Sequence, residues 1–89
     1  MSYEVYILQS LKTGRYYTGS AENELKRLKQ HNSGKVRATK PYRPWVIVHT
    51  EEFLTRGEAY KREMRIKKYK NGEAFQKLIS RSNNGQVPK

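Results

Sequence analysis

The chain has 89 residues, enough for one small domain. Nineteen Lys and Arg stand against eight Asp and Glu, for a formal net charge of +11, and there is no cysteine. These numbers exclude disulfides and thiolate metal sites, and no apolar run approaches the roughly 18–20 residues needed to span a bilayer.

The N-terminus, Met1-Ser2-Tyr3-Glu4, lacks the basic and apolar regions of a signal peptide, so a cytoplasmic protein without membrane association is expected. The positive charge repels itself in a compact domain and is relieved by a polyanion. Nucleic acid, bound with release of counterions, is the expected partner. A membrane surface fits less well, because no long basic amphipathic stretch carries Trp or Phe anchors.

Residues 3–9 alternate with period two: Tyr3, Val5 and Ile7 on one side, Glu4, Tyr6 and Leu8 on the other. Both sides carry bulky residues, which predicts a strand covered on both faces. Thr13-Gly14 supplies a tight turn, and residues 15–19, rich in Tyr and Thr, form the returning strand. Tyr6 and Tyr17 then lie on neighbouring strands, with a shared face left to the turn type.

A first helix is predicted from Ser20, as N-cap, to about Asn32, stopped by Asn32-Ser33-Gly34. Leu25, Leu28 and Asn32 mark its inward stripe. Arg27 and His31 are four apart and share a flank, an arrangement that an ordinary solvated face also produces.

Residues 33–44 read as a loop with four cations, no acids, two prolines and one tyrosine. It is either a connector or a phosphate-contacting loop in which Lys35, Arg37, Lys40 and Arg43 meet the nucleic-acid backbone and Tyr42 stacks on a base. Residues 45–52 are an apolar third strand, with His49 expected at an edge or surface. Thr55-Arg56-Gly57-Glu58 has capping-box spacing and opens a second helix that runs to about Lys70 and stops at Asn71-Gly72. A third helix follows over residues 73–81, packing through Phe75, Leu78 and Ile79. The expected domain therefore covers residues 1–81, with 82–89 a frayed tail.

In the second helix Ala59, Glu63 and Ile66 fall at i, i+4 and i+7, which turns a carboxylate inward. Such a group either pairs with a nearby cation (Arg62, Lys67 or Lys70) or holds a metal. Mg²⁺ keeps most of its water shell and often uses one or two protein carboxylates, so one Glu suffices.

Tyr6, Tyr17-Thr18-Gly19, Arg27, His31 and Glu63, in that order, resemble the GIY-YIG nuclease superfamily, and most of all its small stand-alone bacterial branch. The resemblance spans roughly residues 3–80. It is carried by Tyr16-Tyr17-Thr18-Gly19, by Leu25-Lys26-Arg27-Leu28-Lys29-Gln30-His31-Asn32-Ser33-Gly34, and by residues 51–63. The first motif is Glu4-Val5-Tyr6 here, so only its tyrosine remains; Thr18 replaces an isoleucine; and the superfamily's late asparagine has Asn71 as its nearest counterpart.

The resemblance implies an α+β fold in ββαβαα order, with a three-stranded antiparallel sheet flanked by helices. It implies metal-dependent hydrolysis of DNA phosphodiesters with Mg²⁺ or Mn²⁺. By position, Tyr6 and Tyr17 are the motif tyrosines, Arg27 the helix arginine, His31 the histidine one turn on, and Glu63 the metal ligand. In the expected reaction a tyrosine takes or orients a proton of the attacking water, its pKa lowered by Arg27 and the metal. Any sequence specificity would be weak or borrowed from a targeting protein. The rival reading is a non-catalytic nucleic-acid-binding module on a nuclease scaffold, and a basic protein- or ribosome-associated adaptor is a third.

Overall fold

A computed structural model of the chain describes residues 2–70 and 72–86. Strand β1 (Tyr3–Ser10) turns into β2 (Tyr16–Ala21), followed by helix α1 (Glu24–Ser33). A short 3-10 turn (Lys40–Tyr42) leads into β3 (Trp45–Phe53), then α2 (Arg56–Lys68) and α3 (Glu73–Gln86). The sheet is antiparallel in the order β2-β1-β3, so β1 is central. This is the expected ββαβαα fold.

Strand β1 explains the layering. Val5, Tyr6, Ile7 and Leu8 are all buried, because successive side chains leave on opposite faces and both faces are covered. Val5 and Ile7 join Ala59, Ile66, Phe75 and Ile79 in one core, beneath α2 and α3. Tyr6 and Leu8 join Trp45 in a second core, where Leu28 of α1, Tyr17 and Tyr42 pack. The result is a sheet between two unequal helical layers.

Local chemistry sets the element ends. Gly14, at φ 81°, makes the hairpin turn, and Ser10 Oγ accepts from the amides of Lys12 and Thr13 inside it. Gly34, at φ 85°, closes α1. Thr55 caps α2 by accepting from the Glu58 amide, as its spacing predicts.

Several expected boundaries shift. Strand β2 continues through Ser20 to Ala21, and α1 is capped by Asn23, whose side chain accepts from the Lys26 amide. Ser20 is a strand residue paired with Val5, and its hydroxyl donates to Glu63 of α2. Leu25 is 61% exposed rather than inward, since α1 is rotated to bury His31 instead. His49 stands on an edge strand, one of its two expected places, but is buried there: its Nε2 lies 2.7 Å from Glu51 Oε2, and Arg62 grips the same carboxylate at 2.7 and 3.0 Å. Burial opposes the charge on Glu51, but the His49 and Arg62 hydrogen bonds outweigh it and hold the carboxyl down to about 2.

Helix α2 ends at Lys68, two residues early, and Asn71 lies outside the described residues. Helix α3 runs on to Gln86, so residues 82–86 of the expected tail are helical; no proline intervenes before Pro88. Residues 87–89 lie outside the described residues. Among the described residues no helix is long and apolar enough to cross a membrane.

Candidate active site

The hairpin register places the candidate tyrosines. Tyr6 pairs with Gly19, and Leu8 with Tyr17, so both phenols leave the sheet on the α1 face. Gly19 is what lets Tyr6 lie there. A Cβ at position 19 would sit 2.7 Å from the Tyr6 hydroxyl oxygen, 2.9 Å from its Cζ and 3.2 Å from the Tyr17 ring. Any side chain at that position displaces a tyrosine.

Helix α1 lowers His31 onto the pair. His31 is fully buried, with its Nε2 3.3 Å from the Tyr6 hydroxyl and its ring centroid 4.9 Å from that of Tyr17. Its other nitrogen, Nδ1, lies 2.8 Å from the hydroxyl of Thr39. Burial, with the nearby Arg27 charge adding to it, lowers the His31 pKa to about 4, so the imidazole is neutral at neutral pH. Arg27 is partly buried, and its Nη1 donates to Gln30 Oε1 at 2.6 Å.

Tyr6 is 1% exposed. Burial raises its pKa and prevails over the adjacent Arg27 guanidinium, which lowers it, while Tyr17 and Glu63 raise it further. The protein groups around Tyr6 therefore keep its proton on, whereas the expected lowering of a tyrosine pKa also called on a metal. The reason is desolvation, which penalises the phenolate in a site where His31 and the arginine are themselves sheltered from water.

Glu63 comes from the opposite layer. Its helix packs under the sheet, and its carboxylate reaches the outer edge at β2, where Ser20 Oγ donates to Oε1 and Lys67 Nζ to Oε2, both at 2.7 Å. At 9% exposed, Glu63 is inward as its spacing predicts, and close enough to act electrostatically on Tyr6.

The basic loop divides. Arg37, Lys40 and Arg43, with Lys12 from the hairpin tip, line a groove of about 600 Å³ floored by Asn32 and two prolines. Lys35 is exposed but outside that lining. Tyr42 is half-buried, with the Arg15 guanidinium 4.5 Å above one face of its ring and Trp45 in a T-shaped contact with it.

Residues 2–77 match the sequence profile of the GIY-YIG catalytic domain. The chain belongs to the GIY-YIG family. This GIY-YIG protein is 42% identical over 77 residues to a UPF0213 protein of Staphylococcus saprophyticus, covering 85% of this chain and 92% of that one. It is 47% identical over 75 residues to a UPF0213 protein of Syntrophus aciditrophicus, covering 81% and 84%. Among solved structures it is similar to the solution NMR structure of a UPF0213 protein from Bacillus halodurans, at 33% identity and TM-score 0.56, covering 90% of this chain and 84% of that one.

Thr39 and Ser20 are the site residues that sequence reasoning passes over. Thr39 is a polar residue in a basic loop with no periodicity to mark it, and Ser20 reads locally as a helix cap. The one available signal for Thr39 was its place between cations in a segment otherwise suited to solvent.

Proposed function

We propose that this chain is a metal-dependent endonuclease that hydrolyses phosphodiester bonds in DNA. The observation that supports it is the convergence on the Tyr6 hydroxyl: His31 Nε2 at 3.3 Å, with Arg27, Tyr17 and Glu63 all near enough to shift its proton equilibrium. These groups come from β1, β2, α1 and α2.

In the proposed reaction a water oxygen forms a bond to phosphorus in line with the departing 3′ oxygen, whose bond to phosphorus breaks. The water gives a proton to the Tyr6 oxygen while Tyr6 passes its own to His31 Nε2, so a free phenolate is never needed. This relay suits a tyrosine whose burial keeps it protonated. Arg27 presents a planar fork of donors to the non-bridging phosphoryl oxygens, and Tyr17 flanks the same space. The 3′ oxygen takes a proton from solvent.

Glu63 is the candidate metal ligand. Its hard carboxylate and the Ser20 hydroxyl suit Mg²⁺ or Mn²⁺, and the Lys67 ammonium already against it marks the position as one that attracts a cation. Among the described residues no cluster of three or more His, Cys, Asp or Glu forms, so water would complete the shell. When bound, a divalent cation supplies Lewis-acid polarisation of the phosphate. The groove lined by Lys12, Arg37, Lys40 and Arg43 supports contact with a phosphate backbone beside the site.

The test is plasmid nicking by highly purified protein with Mg²⁺ or Mn²⁺. Glu63→Ala is expected to abolish cleavage and retain salt-dependent DNA binding; cleavage by this variant at the parental rate would remove the metal role. One observation favours a second reading, the non-catalytic binding module: Lys67 neutralises Glu63 at 2.7 Å. Tight, salt-dependent binding with no metal-dependent nicking would decide for it.

A further inference from the structure

Thr39 occupies an unusual place. It lies in the basic segment between α1 and β3, yet it is 1% exposed. Every polar atom it offers is used. Its amide and its hydroxyl both lie near the Val36 carbonyl, at 3.1 and 3.2 Å. Its own carbonyl accepts from the Trp45 indole at 3.0 Å and from the Tyr42 amide at 3.1 Å. The same hydroxyl lies 2.8 Å from His31 Nδ1.

The hydroxyl has one proton, and the Val36 carbonyl can only accept. Donation to that carbonyl leaves a hydroxyl lone pair facing Nδ1. Nδ1 must then carry the imidazole proton, and in a neutral ring Nε2 is left bare. The bare nitrogen is the one that faces Tyr6, 3.3 Å away. Were the tautomer reversed, an N–H would point at the Tyr6 hydroxyl and a proton could not pass from Tyr6 to His31.

We propose that Thr39 is a positioning residue that fixes the Nδ1–H tautomer of His31 and so makes Nε2 the acceptor of the Tyr6 proton. Its effect on cleavage rests on the endonuclease reading; its effect on the tautomer does not. The anchoring is rigid because Trp45, which holds the Thr39 carbonyl, is itself pinned at both backbone groups by the Asn32 side chain: Oδ1 accepts from the Trp45 amide at 2.6 Å and Nδ2 donates to the Trp45 carbonyl at 3.1 Å. The segment that presents Arg37 and Lys40 to the groove therefore also sets the proton on the buried histidine.

The experiment is a two-bond ¹⁵N–¹H correlation spectrum of the histidine side chains near neutral pH, on the parental protein, Thr39→Val and Thr39→Ser, with nicking measured alongside. The parental His31 is expected as a single Nδ1–H tautomer. Thr39→Val is expected to populate the Nε2–H form and to lower kcat at least tenfold with KM for DNA little changed; Thr39→Ser is expected to restore both. A parental spectrum showing the Nε2–H form overturns the proposal, even if Thr39→Val fails to fold. So does a folded Thr39→Val that keeps a pure Nδ1–H tautomer. If no variant nicks DNA but the tautomer follows Thr39 as stated, the positioning role stands and the endonuclease reading falls.

Discussion

The two faces of the central strand are built from alternating residues of one short stretch and finished in opposite ways. Toward α2 and α3, Val5 and Ile7 meet Ala59, Ile66, Phe75 and Ile79, side chains with no polar atom among them. Toward α1, Tyr6 and Leu8 meet a buried histidine, a tryptophan and a second tyrosine, and the contacts are hydrogen bonds and ring edges as much as packing. A domain this small has little apolar surface to bury. The α2 face has polar contacts of its own, His49 and Arg62 on Glu51 and Ser20 on Glu63, but they stand outside its apolar cluster, whereas on the α1 face His31 meets Tyr6 and Tyr17 within the packing. Glu63 crosses between the two, standing in the apolar stripe of α2 yet reaching around β2.

If that division holds, changes on the apolar face should cost stability and spare the site. Ile66→Ala, a truncation of a side chain 1% exposed, is expected to cost about 2–5 kcal/mol in denaturant unfolding with specific activity of the remaining folded protein unchanged. A loss below about 1 kcal/mol would mean that the apolar face is not the main source of stability.

Both faces should reveal their buried polar groups through pH. His31 protonates near 4 in the folded chain and near its ordinary value of 6.5 when unfolded. The unfolded state therefore binds the proton first, and stability falls as pH drops from 6.5 to about 4, by about 3 kcal/mol. Glu51, held at about 2 against an ordinary 4.5, adds a separate loss that begins only below 4.5. Unfolding measured across this range in the parental protein and in His31→Gln separates them: the loss above pH 4.5 should vanish in the variant.

Gly19→Ala is expected to damage both properties, since the new methyl meets the Tyr6 hydroxyl oxygen at 2.7 Å and its Cζ at 2.9 Å. A cost of about 1–3 kcal/mol is expected in unfolding, together with reduced nicking. Unchanged stability would show that Tyr6 has room to move. The smallest stability effect should come from Tyr6→Phe, about 1 kcal/mol for one lost hydrogen bond to His31, whereas nicking should fall by a factor of about 10²–10⁴. This variant sharpens the contrast most, because activity and stability should part company at a single oxygen atom.

Much of the fold was legible along the chain because its signals are local. The period-two pattern of residues 3–8, Gly14 in the turn, Gly34 after α1, and Thr55 with Glu58 at the start of α2 each act over a few residues, and all appear as expected. The inward position of Glu63 followed from helical spacing alone. The order of the elements then required only that the apolar sides be covered.

What could not be read in advance depends on how elements meet. The rotation of α1 on the sheet buries His31 and exposes Leu25, although leucine is the more apolar, because Tyr6, Tyr17 and Thr39 offer the imidazole partners and shelter. The register of β1 against β2 sets Gly19 across from Tyr6. Thr39, Ser20 and Lys67 acquire their roles from residues 8, 43 and 4 positions away. Burial of a polar group costs free energy unless a partner is in place, and for the Ser20 hydroxyl and for His31 Nδ1 only the assembled domain brings that partner within reach.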